Sequence, residues 1–120
     1  MFFSYLIIGL GGALGAMYRS WLCTLLPTTI FSIPAPILCI NILGCFIMGF
    51  LHTIIPCNQS LRYFLLTGFL GGFTTFSSFT LEYGTLWNAQ EYYSAAIYTI
   101  LSVSLSLIFF FIGSKLAHFF

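Results

Sequence analysis

Between Gly68 and Glu82 the chain reads Gly-Phe-Leu-Gly-Gly-Phe-Thr-Thr-Phe-Ser-Ser-Phe-Thr-Leu-Glu, with hydroxyls and phenyl rings crowded into apolar surroundings. Gly68, Gly71 and Gly72 loosen the backbone, and Thr74, Thr75, Ser77, Ser78 and Thr80 follow at once. Phe76 and Phe79 stand three apart, so in a helix they share one face. A lipid-facing helix gains nothing from so many polar groups. The pattern predicts a broken helix inside a membrane protein, where freed backbone groups and small hydroxyls handle an ion.

Two further sets of polar residues lie in apolar runs. Asn41 interrupts Ile-Leu-Cys-Ile-Asn-Ile-Leu-Gly-Cys-Phe, and its amide needs partners for two donors and an acceptor. It serves either as a helix–helix hydrogen bond or as a donor lining a pore. Tyr98, Ser102 and Ser106 recur at i, i+4 and i+8, which lines three hydroxyls along one helix face. Together with the phenyl rings, whose edges are partially positive, these groups point to an anion. A small hydrated anion needs donors to replace its water, while a fixed full charge in a dry site would trap it. No Lys or Arg falls in the middle of an apolar run, and Glu82 is the one carboxylate inside one.

These groups need a scaffold, and the composition fixes its class. Of 120 residues, 60% are hydrophobic and 4% charged, against about 25% charged in a soluble domain. The expectation is an all-α integral membrane protein in a lipid bilayer. A crossing needs about 20 apolar residues, and four segments qualify: from about Ser4 to Leu26, Pro34 to Ile55, Leu61 to Leu86, and Tyr93 to Ala117. They form a single domain, 1–120, with the third helix broken mid-membrane. Pro27 and Pro56 end the first two segments, and Ser60 is the expected N-cap of the third. Short connections make neighbours antiparallel and bring both termini to one side. Gly11, Gly12 and Gly15, with Ala13 and Ala16, form a small-residue face for close helix packing, and Gly44 and Gly49 can do the same.

Arg62 and Lys115 fall on the terminus side and Arg19 on the other, a bias too slight to fix orientation firmly. The chain either inserts both ways up, which leads to an antiparallel homodimer, or takes one orientation on a weak signal. Arg19 is either a snorkelling anchor or a group with a specific partner. The net charge of +1 offers no basic patch, so nucleic acid is not an expected partner. Cys23, Cys39, Cys45 and Cys57 have no metal-ligand spacing and read as packing residues. Met1 leads into an apolar stretch without a basic n-region, so no removable signal peptide is expected. Nothing resembles a catalytic triad or metal cluster, and no enzyme activity is expected.

Three blocks resemble the CrcB/Fluc family of fluoride channels. Gly11-Gly12-Ala13-Leu14-Gly15-Ala16-Met17-Tyr18-Arg19 is similar to its GGxxGAxxR block, and Asn41-Ile42-Leu43-Gly44-Cys45-Phe46 with Gly49 to its NxxGxFxxG block. Gly68 to Phe79 is close to its GFxGGxTTFSTF signature, with Ser78 in place of Thr. The resemblance implies a dual-topology antiparallel homodimer with two fluoride pathways in a bacterial cytoplasmic membrane. It makes Asn41 the pore asparagine, Phe76 and Phe79 the ring-edge contacts, and Tyr98, Ser102 and Ser106 the polar track. It also implies one structural sodium ion at the dimer centre, held by the Gly71 and Thr74 carbonyls. Before Asn41 the chain departs from the family's Pro-x-Gly-Thr pattern, with Pro36 for glycine and Ile37 for threonine.

The function expected is passive fluoride export that lowers cellular fluoride. A small dual-topology proton-coupled multidrug exporter is the alternative, but it needs a carboxylate deep in its first helix, which holds no Asp or Glu. A purely structural subunit is disfavoured by the costly polar groups in helices two to four.

Overall fold

The computed structural model of the chain describes residues 1–55 and 57–120. Helix α1 spans Phe2–Leu25 and stops because Pro27 forces the residue before it into an extended conformation; Leu26 has φ −92° and ψ 149°. A two-residue antiparallel ladder follows, β1 (Thr29–Ile30) against β2 (Ile33–Pro34). Its turn residues Phe31 and Ser32 both have positive φ, at 53° and 66°, the handedness a two-residue hairpin requires. Helix α2 spans Ala35–Ile54. Pro36 sits in its first turn, where a missing N–H is no loss, and Ile37 is buried against Phe79, Leu86, Ala95 and Tyr98. The expected stop at Pro56 lies outside the described residues.

The third apolar segment is assembled from pieces. Helix α3 (Gln59–Arg62) runs into a π-helix (Tyr63–Leu70), then α4 (Gly71–Phe73), and α5 (Phe76–Asn88) resumes after Thr74 and Thr75. Its N-cap is Asn58, whose side chain accepts from the Leu61 N–H at 3.0 Å, and not Ser60, which already lies inside the helix. The last helix, α6, spans Tyr92–Ala117. The spans Phe2–Leu25, Ala35–Ile54, Gln59–Asn88 and Tyr92–Ala117 are each long and apolar enough to cross a membrane. This is a multi-pass membrane protein.

Backbone proximity, more than side-chain bulk, sets how the helices pair. Helix α1 lies against the π-helix and α4. A Cβ on Gly11 would meet Phe64 O and come within 2.9 Å of Phe69 N, one on Gly15 would meet Phe69 O, and one on Gly72 would meet Gly12 O. Helices α2 and α6 approach in the same way, with Gly49 against Phe110 O and Gly113 against Phe46 O. With no hydrophobic drive between helices in lipid, such backbone approach is what holds a bundle together. Two cores result. Ile40, Leu66, Leu70 and Phe73 form one, and Ile37, Phe79, Leu86, Ala95 and Tyr98 form the other. The break in the third segment falls between them.

Candidate functional site

The break is at the threonines and not at the glycines. Gly71 keeps helical angles, φ −62° and ψ −37°, and no glycine among the described residues has positive φ. The expected role of Gly68, Gly71 and Gly72 as looseners is therefore corrected: Gly68 and Gly72 give α1 room to approach. Thr74 (φ −85°, ψ 153°) and Thr75 (φ −153°, ψ 123°) are the extended residues. Thr74 ties itself back to the preceding helix, its N–H and Oγ1 both donating to Leu70 O at 3.0 and 2.9 Å. Thr75 is the N-cap of α5, its Oγ1 accepting from the Ser78 N–H at 3.2 Å, which satisfies a donor the new helix cannot.

Asn41 of α2 holds the break open. The Thr75 N–H donates to Asn41 Oδ1 at 2.8 Å, and Asn41 Nδ2 donates to Thr75 O at 3.0 Å. The amide thus mimics a ladder pairing with an extended residue. It fills the helix–helix role and keeps one N–H. A continuing α-helix would have given the Thr75 N–H to Gly71 O and the Ser78 N–H to Thr74 O. Asn41 and the Thr75 hydroxyl take those donors instead, so both carbonyls lose their helical partners. From the far side, Arg19 Nε donates to Gly72 O at 3.2 Å. Arg19 has a specific partner.

Beside the break lies a groove of about 310 Å³ lined by Asn41, Thr75, Phe76, Phe79, Ser102 and Ser106 among others. The Ser102 side chain is buried, 7% exposed, and its hydroxyl has no hydrogen-bond partner among the described residues. Phe76 is 75% exposed and Phe79 8%, their ring centroids 5.3 Å apart. Tyr98 is fully buried beneath Phe79, ring centroids 5.1 Å apart, and its hydroxyl donates to Glu82 Oε2 at 2.6 Å. The structure therefore brings Asn41, Phe76, Phe79, Ser102 and Ser106 to one groove. Tyr98 stands behind it, outside the lining.

Thr75 and Glu82 are structural partners that the sequence alone does not assign, and for Arg19 the bond to Gly72 O decides between its two expected roles. A threonine at the restart of a helix is an N-cap signal. A lone carboxylate in an apolar span demands a donor, and the Tyr98 hydroxyl on a neighbouring helix supplies one without adding charge.

Comparison with known proteins identifies the lineage. Residues 6–114 match the family model described as CrcB-like protein, Camphor Resistance (CrcB). A "Fluoride-specific ion channel FluC" of Paracoccus denitrificans is 43% identical over 106 residues, covering 87% of this chain and 86% of the relative. A protein of that name from Rhizobium leguminosarum bv. trifolii is 37% identical over 110 residues, covering 85% and 86%. Another from Prosthecochloris aestuarii is 34% identical over 122 residues, covering 97% and 94%. The helix-breaking asparagine clamp and the groove beside it belong to a member of the CrcB/FluC family of fluoride-specific ion channels.

Proposed function

We infer that this chain is a passive fluoride channel of the bacterial cytoplasmic membrane. The observation that carries the reading is the Ser102 hydroxyl, buried without a partner beside phenyl rings and an amide. A buried hydroxyl left unsatisfied costs about 1–3 kcal/mol, a cost that an anion accepting its proton removes. Ser106 and the free Asn41 N–H extend the donor series, and Phe76 and Phe79 offer positive ring edges. Tyr98, its hydroxyl already committed to Glu82, places the Phe79 ring from behind. The working unit is an antiparallel dual-topology homodimer, supported by the weak charge bias and by the exposure of Phe76 at the groove.

The structural sodium ion fits the donor chemistry of the break. Gly71 and Thr74 present carbonyl oxygens deprived of their helical donors, and hard cations take oxygen ligands. Bound there, the ion supplies a positive charge that neutralises carbonyl dipoles from both subunits. Asn41 and Thr75 keep those carbonyls available by holding the donors away.

Fluoride efflux from liposomes containing only this purified protein tests the function, with chloride as the control. Fast fluoride release without a proton gradient is expected. Equal chloride release, or strict dependence on a proton gradient, would overturn it.

A further inference from the structure

Cys45 lies one helical turn after Asn41 on α2, so the two share a face, and both line the groove with Ser102 and Ser106. The thiol is free and half-buried. Ser102, one turn before Ser106 on α6, lines the same groove, and its buried hydroxyl has no partner among the described residues, which marks a space for a small guest. Cys45 therefore sets one soft sulfur in a wall whose other polar atoms are hard oxygen and nitrogen. Cys23 packs into both cores, and Cys39 and Cys57 are exposed away from the groove.

We propose that Cys45 is a modification site inside the groove, where a soft thiophilic metal species binds the sulfur and closes the fluoride route. The proposal rests on the reading of the groove as that route. Fluoride is hard and leaves the thiol untouched, whereas thiol sulfur selects soft metals. With methylmercuric chloride, a sulfur–mercury bond forms as the thiol proton and the chloride leave. No electrons are transferred, and excess dithiothreitol reverses the step by competing for mercury. The adduct occupies the groove that Cys45 shares with Asn41, Ser102 and Ser106.

The test measures fluoride efflux from liposomes before and after methylmercuric chloride, and locates adducts by mass spectrometry of the same samples. The residual-to-initial flux ratio should fall about tenfold or more in the unmodified sequence and in a Cys23→Ser, Cys39→Ser, Cys57→Ser variant, because a plugged pore cannot conduct. Dithiothreitol should restore it. Cys45→Ser and Cys45→Ala should keep a ratio near one, whatever their initial flux. Full adduct formation at Cys45 with undiminished flux overturns the proposal, as does the absence of a Cys45 adduct. Equal block in the Cys45 variants does so too. If both Cys45 variants conduct nothing, the triple variant and the adduct map still decide it. An untreated protein that passes no fluoride overturns the channel reading itself, and this proposal with it.

Discussion

At the scale of single residues, the groove holds one group whose contributions to stability and to the proposed ion passage have opposite signs. That group is Ser102, whose buried hydroxyl has no partner among the described residues. Ser102→Ala removes that unsatisfied group, so the protein without fluoride should gain about 1 kcal/mol of stability while fluoride flux falls. Thermal unfolding in detergent and efflux from liposomes check the two halves separately. Loss of both stability and flux would mean that Ser102 is a packing residue only. Phe76→Ile and Phe79→Ile keep apolar bulk but remove the ring edge, so each should lower flux. Phe79→Ile should also cost stability, because Phe79 is buried on Tyr98 and Phe76 is exposed. Asn41→Asp should be the most damaging of this set. It would set a carboxylate oxygen against Thr75 O, where Nδ2 now donates at 3.0 Å, and would face the anion with negative charge. Circular dichroism and efflux together check this, and near-normal flux would remove Asn41 from the pathway.

At the scale of elements, small residues on α1 act through backbone approach, which makes the effect of adding one methyl group depend on position. Gly15→Ala would drive its Cβ into Phe69 O and within 2.9 Å of Phe73 N. Overpacking of this kind costs about 1–3 kcal/mol, and here the obstacle is backbone that cannot turn aside. Gly9, on the same helix, has nothing within 4 Å of an added Cβ, and Gly9→Ala should be neutral or stabilising by up to about 1 kcal/mol through helix propensity. Paired unfolding measurements on the two variants check the contrast; equal effects would show that α1 does not pack through this face. The small-residue pattern and the four apolar spans were legible because they follow from composition and period alone. The position of the break was not. Glycines in the run suggested a loose backbone there, yet each stays helical, and the extended residues are Thr74 and Thr75 because a distant amide, Asn41, competes for the Thr75 N–H. Competition between elements remote in sequence leaves no local signal. The wide π-helical turns of Tyr63–Leu70 likewise left no local signal; Gly68, in their midst, lies so close to α1 that an added Cβ would come within 2.8 Å of Ile8 O. The row Tyr98, Ser102 and Ser106 was legible as a row, but its spacing did not reveal that Glu82 takes the tyrosine hydroxyl and leaves the serines to the groove.

At the scale of the whole molecule, a single chain leaves the break and the groove facing outward. Phe76 is exposed, and Gly71 is exposed with no atom nearer than Leu66 O at 3.9 Å to an added Cβ. An added Cβ at Gly71 therefore meets no resistance within its own subunit, which turns that exposed position into a reporter on a partner. If two breaks meet at the centre of an antiparallel dimer around sodium, Gly71→Leu should leave the helices of each subunit intact but abolish dimerisation. Thr74→Ser should be tolerated, because it keeps the hydroxyl that donates to Leu70 O and the carbonyl proposed as a ligand. Sodium should strengthen the dimer, since an ion bound only by the assembled state shifts the equilibrium towards it. The measurement is the dimer–monomer equilibrium in detergent, read in sodium and again with sodium replaced by a large organic cation, for the unmodified chain and both variants. Mapping the membrane side of both termini completes it, with half of the molecules expected in each orientation if insertion is unbiased. A Gly71→Leu protein that dimerises normally, a dimer indifferent to sodium, or a single fixed orientation would each refute this assembly, and would do so without touching the proposed pathway residues, which lie on α2, α5 and α6 of one subunit.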